Sequence, residues 1–198
     1  MKHAKKYTRR AAEQIRRAQV LLAALDLPRR WGSIGVEVQQ VGSMRMGLLA
    51  KHLDLDFHLY SDRVDVAADF AVMGELAALP GVEWVQFGNL LRTEEACVEW
   101  HAGYRDEQGE LWQIDLIHIV RGSRYDGYFE RVADRIAAVL TDEQRETILR
   151  LKFEMPDEAK IPGIAYCQAV IRDGVRTPEA FAAWQAARPA AGIIEWMP

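Results

Sequence analysis

Nine residues, "HLDLDFHLY" at 52–60, constrain the fold of this chain more than any other stretch. Apolar Leu53, Leu55, Phe57 and Leu59 alternate strictly with His52, Asp54, Asp56, His58 and Tyr60. A period of two is the period of a pleated strand, so the four apolar side chains share one face and the polar ones the other. Such a strand needs a core on one side. On the other it sets two acids whose side chains start about 7 Å apart. Carboxylates that close repel unless water or a cation lies between them.

The remaining sequence supplies elements for a sheet of this kind. Residues 8–25 carry Ala11, Ile15, Ala18, Leu22 and Leu25 at helical spacing, with Pro28 closing the helical region. "IGVEVQQV" at 34–41 reads as a strand, and 43–51 is long enough for about two helical turns. A helix over 65–79 ends at Pro80-Gly81, and "VEWVQF" at 82–87 is a further strand. "ACVEWHAGY" (96–104) and "LWQIDLIHIV" (111–120) flank the polar turn "RDEQGE", the signature of a hairpin.

Beyond Gly122 no strand pattern returns. Helices are expected over 126–140, from Thr141 to about 153, over 164–172, and from Thr177-Pro178 to 187. Thr141 and Gln144 form a capping box, Gly174 is a C-terminal stop, and Thr177-Pro178 is an N-cap followed by a helix-opening proline. The plan is α+β rather than a regular βαβ alternation. It comprises a basic helix over 1–30 packing on the core, a mixed α/β core over 31–122 and a helical region over 123–198.

With 198 residues, 49% of them apolar, the chain can bury a sizeable core. Its net charge of −4 is uneven: Lys2, Lys5, Lys6, Arg9, Arg10, Arg16, Arg17, Arg29 and Arg30 face only Glu13 and Asp26 in the first thirty residues. No aromatic pattern interleaves these cations, so they read as a solvated helix face rather than a nucleic-acid groove. Cys97 and Cys167 sit in apolar segments, as buried thiols of a reducing compartment do. "AQVLLAAL" at 18–25 is too short for a secretory signal and lacks its cleavage pattern, and no segment is long enough to span a bilayer. A cytoplasmic protein is expected, with no membrane partner.

Two further features bear on the acid pair. Gly42-Ser43 stands where a strand meets a short helix, a place where free backbone N–H groups and the helix dipole suit a phosphate. Glycine permits close approach and a serine hydroxyl can donate, although the same pair is also an ordinary turn with Ser43 as N-cap. Arg45 and Lys51, nearby, are within reach of a phosphate. Asp115 lies between Ile114 and Leu116 in an apolar strand, where an unpaired acid is costly. If that strand neighbours 52–60, Asp115 joins Asp54 and Asp56 in a three-carboxylate cluster able to hold two magnesium ions. His58 starts about 13 Å from Asp54 along the strand, too far to share an ion, and is expected at the surface or the substrate's edge.

Taken together, "GSMRMG", "LDLDF" and "QIDLIH" resemble the DNA polymerase β-type nucleotidyltransferase superfamily over roughly 34–120. Gly42, Ser43, Gly47, Asp54, Asp56 and Asp115 match its pattern in type and order. His52-Leu53 departs from the small polar residue common before the Asp-x-Asp. The resemblance implies a mixed-sheet core and transfer of a nucleoside monophosphate from an NTP, ATP first, to an acceptor hydroxyl with release of pyrophosphate. It implies two Mg2+ ions, with Mn2+ as a substitute. Gly42 and Ser43 would hold the triphosphate, with Arg45 as a further nucleotide contact; Asp54 and Asp56 would ligate both metals. Asp115 would ligate the catalytic metal and help deprotonate the acceptor.

The acceptor is expected to be a small hydroxylated molecule, with a protein hydroxyl or an RNA 3′ end as rivals. Lys152, Lys160 and Tyr166 are candidates for its cleft, and Asn89, Arg92 and Arg105 for nucleotide contacts. The tryptophans, Trp84 included, read as core or interface residues. Two other readings use the same acids: a catalytically silent nucleotide-binding or regulatory module, and a metal-dependent phosphohydrolase.

Overall fold

The structure, a computed structural model, describes residues 5–159, 161–188 and 193–198. Lys2 of the basic run and the candidate Lys160 lie outside them. Helix α1 (Lys6–Leu25) ends at Asp26 in the left-handed conformation. Pro28 does not close the helical region; it sits in the first turn of a second helix, α2 (Leu27–Gly32), where a missing N–H costs nothing.

Five strands form one mixed sheet: β1 (Glu37–Gln40), β2 (Asp54–Ser61), β3 (Val82–Asn89), β4 (Cys97–Arg105) and β5 (Leu111–Val120), in the order β1-β2-β5-β4-β3. β2 and β5 run parallel, and every other pairing is antiparallel. The hairpin expected between β4 and β5 is present, with Gly109 at φ +82 in its turn. Its register sets His101 opposite Asp115, and the parallel pairing sets Asp115 opposite Asp56.

Strand alternation then sorts the sheet into two faces. Leu55, Leu59, Trp100, Ala102, Ile114 and Leu116 point into a core closed by α1, α2 and α4 (Val66–Ala77). Each large apolar side chain buried there contributes about 1.5–3 kcal/mol. The acids take the opposite face.

That face looks towards the helical region: α5 (Tyr128–Val139), α6 (Asp142–Glu154), α7 (Gly163–Cys167) and α8 (Pro178–Ala186). Both halves of the Thr141–Gln144 capping box are formed. The helix expected over 164–172 begins as α7 and widens to a π-helical turn over Gln168–Arg172, before Gly174 at φ +68. These helices enclose a second core around Ile136, Ile148, Leu151, Cys167 and Phe181. Helix α1 belongs to both cores, with Ala11 in the second and Ala18, Leu21 and Leu25 in the first. Its N-terminal N–H groups have no cap of their own; Glu146 of α6 accepts from Tyr7 and Thr8 N–H, both at 2.9 Å.

Helix α3 (Gly42–Arg45) is a single turn, not the two expected, because the chain reverses at Gly47 with φ +66. Cys97 and Cys167 are free and buried. Among the described residues no helix is long and apolar enough to cross a membrane.

Candidate active site

Between the acid-bearing sheet face, α3 and the helical region lies a cavity of about 450 Å3. Gly42, Ser43, Asp54, Asp56, Asp115 and Lys152 all line it. The structure thus brings together the three acids and the Gly42-Ser43 turn, leaves Arg45 outside, and sets Lys152, expected in an acceptor cleft, beside them.

Gly42 is needed there twice over. Its φ of +64 is left-handed, and a Cβ at this position would stand 1.9 Å from Asp56 Oδ2. The turn backbone therefore packs directly on the carboxylate, and the neighbouring Val41 N–H donates to the Asp56 carbonyl at 2.9 Å. Burial, then the charges of Asp115 and Asp54, push the Asp56 carboxyl up to about 6, against an opposing pull from Lys152. Burial and Asp115 raise Asp54 as well.

Asp115 is held by neighbours on its own sheet face. His101 Nδ1 lies 2.6 Å from its Oδ1, and Gln113 Nε2 donates to Oδ1 and Oδ2 at 3.0 and 3.1 Å. Sequence reading did not connect His101 with Asp115, although the hairpin register carries the signal.

Lys152 is buried on α6, its Nζ donating to Ser43 Oγ at 2.7 Å and to the Leu48 carbonyl at 3.0 Å. Burial lowers its pKa, while Cys167, Asp56 and Asp54 act in the opposite direction. It had been considered for an acceptor cleft; its ammonium instead stands against the Gly42-Ser43 turn. Tyr166 lines the same cavity.

Other candidates are engaged elsewhere. Arg45 does not line the cavity: its guanidinium is held by Asp134 at 2.7 and 2.8 Å and by the Gln40 carbonyl at 2.9 Å. Lys51 is paired with Asp157 at 2.6 Å. Arg105 is bound to Glu83 and the Gly109 carbonyl at the far end of the hairpin. His58 is not at the surface but lines the acid-bearing cavity itself, 7% exposed, with Phe129 edge-on at 5.2 Å and Glu130 at 3.4 Å.

Three carboxylates, two of them raised by burial, form a hard-oxygen donor set of the kind magnesium and manganese prefer. A cation there would offset the burial and the repulsion from Asp115 and Asp54 that hold Asp56 near 6, so the residues fit such an ion. Their donor atoms are less tightly gathered than those of Glu95, Cys97 and Glu99. Among the described residues these last form the one group of three whose possible ligand atoms all lie within 4.8 Å of one another.

No family model matches the chain, and no curated protein matches it either. Solved structures do. A poly(A) polymerase complex, GLD-2 with GLD-3, aligns over 95% of this chain and 63% of that one, at 12% identity and a TM-score of 0.61. The Cid1 poly(U) polymerase bound to MgGTP aligns over 86% of this chain and 55% of its own, at 17% identity and a TM-score of 0.58. A cytoplasmic RNA terminal U-transferase aligns over 84% and 53%, at 18% identity and a TM-score of 0.54. The chain therefore spans between 53% and 63% of the length of these three. The chain thus shares its fold with these polymerases and this U-transferase.

Proposed function

We propose that this chain moves a nucleoside monophosphate from an NTP, ATP first, to an acceptor hydroxyl and releases pyrophosphate. One observation carries the reading. Asp56 and Asp115 are register neighbours on β2 and β5, and Gly42 is pressed onto the same Asp56. The turn that would bind phosphate and the acid row thus line one cavity. The fold likeness to nucleotide-polymerising structures supports it.

The triphosphate would lie against the Gly42-Ser43 turn. Ser43 Oγ accepts from Lys152, which leaves its own hydrogen free to donate to a phosphate oxygen. Lys152, with two of its three N–H groups given to Ser43 and Leu48, retains one donor for the same ligand. Asp54, Asp56 and Asp115 would hold divalent cations, magnesium first, which supply stabilisation of the attacking and leaving oxygens. Gln113 reaches both oxygens of Asp115 while His101 engages only Oδ1, so Oδ2, the less engaged of the two, would take the acceptor's proton. The acceptor oxygen then bonds the α-phosphorus as the α–β bridging P–O bond breaks, in line, and pyrophosphate leaves.

A small hydroxylated molecule is the acceptor we favour. The second reading, an RNA 3′ end, is favoured by the activities for which the aligned polymerases and U-transferase are named. Incubation with Mg2+, α-phosphate-labelled NTPs and a cell extract, separated into small molecules and RNA, tests both. Label joined to either fraction, with pyrophosphate released, is the expected result. Free labelled nucleoside monophosphate without adduct would make the chain a phosphohydrolase. Thermal stabilisation by ATP without turnover would make it a binding module.

A further inference from the structure

On the sheet face turned away from the acids, polar side chains from three elements meet. Ser61 ends β2 on the side of Leu55 and Leu59, and His118 lies on β5 on the side of Ile114 and Leu116. Asp69 reaches them from the first turn of α4. Ser61 Oγ stands 2.8 Å from His118 Nε2, and His118 Nδ1 stands 2.8 Å from Asp69 Oδ2. The histidine and aspartate side chains are at most 1% exposed, so Ser61, half-buried, is the member that meets solvent.

A buried ion pair is a poor way to hold a helix to a sheet. This one also leaves Asp69 Oδ1 without a hydrogen-bond partner among the described residues, a cost that packing does not offset. What the pair does fix is the position of a hydrogen. An ionised Asp69 can only accept, so a neutral imidazole carries its hydrogen on Nδ1 and leaves Nε2 as an acceptor. The Ser61 hydroxyl then turns its one hydrogen to Nε2, in preference to the Arg63 carbonyl at 3.0 Å. Serine, histidine and aspartate linked in this order make an activated nucleophile on whatever fold carries them.

Burial limits what the three can do. Of the tryptophans expected in the core, Trp84 is 38% exposed, but Trp31 is wholly buried and stands edge-on to the His118 ring at 5.8 Å. His118 is therefore placed to take a proton from Ser61, but not to pass it to a leaving group in solvent or to activate water against an adduct. The reagents that suit such a serine are acyl and phosphonyl donors whose leaving group departs unprotonated, and the transferred group stays on the serine.

We propose that Ser61 is a nucleophilic modification site for donors of that class, with His118 as its base and Asp69 as the positioning residue. It is separate from the acid row: Asp56 lies five residues back along β2, about 17 Å, and on the opposite face. With a fluorophosphonate, Ser61 Oγ bonds the phosphorus as the P–F bond breaks. Fluoride leaves, the hydroxyl proton passes to His118 Nε2, and Asp69 keeps the Nδ1 hydrogen in place. Treating the full chain with a biotinylated fluorophosphonate, and locating the adduct by peptide mass spectrometry, tests the site. One adduct per chain on Ser61 is expected, absent in Ser61→Ala and at least tenfold slower to form in Asp69→Asn. Nitrogen-15 NMR should show His118 as the Nδ1–H tautomer in the parent and not in Asp69→Asn. Should Asp69→Asn fail to fold, Ser61→Cys takes its place. Iodoacetamide should alkylate that variant at least tenfold faster than Ser33→Cys, whose position is exposed. The proposal is overturned if Ser61 stays unlabelled in the folded chain, if Asp69→Asn labels as fast as the parent, if His118 carries its hydrogen on Nε2, or if the two cysteine variants react alike. None of these measurements involves a nucleotide, so the transfer reading stands or falls apart from them.

Discussion

At the scale of single residues, the site trades stability for chemistry. Asp56 is pushed up to about 6 from an ordinary 3.8, so its ionised form at neutral pH costs the metal-free fold on the order of 3 kcal/mol. The sign follows from the direction: a raised carboxyl destabilises above its folded pKa, and the cost fades as pH falls through about 6 towards 3.8. Asp56→Asn removes the charge without changing shape. It is expected to raise the melting temperature by roughly 5 °C in EDTA at pH 7.5 while abolishing turnover; calorimetry beside a pyrophosphate assay reads both. Lys152→Met tests the other pole. It removes the ammonium that faces Ser43 but leaves a chain of similar volume in a site where burial already disfavours charge. NTP kcat/KM should fall at least tenfold, about 1.4 kcal/mol, with folding little changed. Unaltered kinetics in this variant would remove Lys152 from the phosphate site.

Among the elements, the sheet was the most legible part. Strict alternation at 52–60 and the polar turn at 105–110 each dictate a local structure, and the hairpin register fixes which residue faces Asp115. The parallel neighbouring of β2 and β5 is different. It joins strands some sixty residues apart (Asp54 with Gln113), and no local pattern encodes it; the family resemblance implied only that Asp115 joins the acid pair, not the direction of its strand. Long-range partners account for the other misses. Arg45 finds Asp134 eighty-nine residues on, and Lys152 finds Ser43 one hundred and nine residues back. The short α3 had a readable cause in Gly47, whose left-handed φ ends the helix. The widening of α7 into a π-turn has no signal in the sequence that we can identify. At the start of α6 the local signal held: Thr141→Ala should cost the helix about 1 kcal/mol and lower the melting temperature by roughly 2–4 °C, measured by circular dichroism.

For the molecule as a whole, the cleft lies between the acid-bearing sheet face and the helical region, with α1 packed into both cores. A ligand bridging Gly42-Ser43 and α6 joins these two cores, so binding should be read out as global stability. ATP and Mg2+ together, at a hundredfold excess over their dissociation constant, should add about 2.7 kcal/mol, and either alone much less. Equal shifts from ATP with or without metal, in a thermal melt, would argue that the acids take no part in binding.

The most direct test is where the metal goes. Crystals grown with Mn2+ and a non-hydrolysable ATP analogue, measured at the manganese absorption edge, report the ion's position without any assumption about the acceptor. Anomalous peaks between Asp54, Asp56 and Asp115, with the triphosphate against Gly42-Ser43, are expected. Manganese at Glu95, Cys97 and Glu99, with the three-acid row bare, would contradict the assignment.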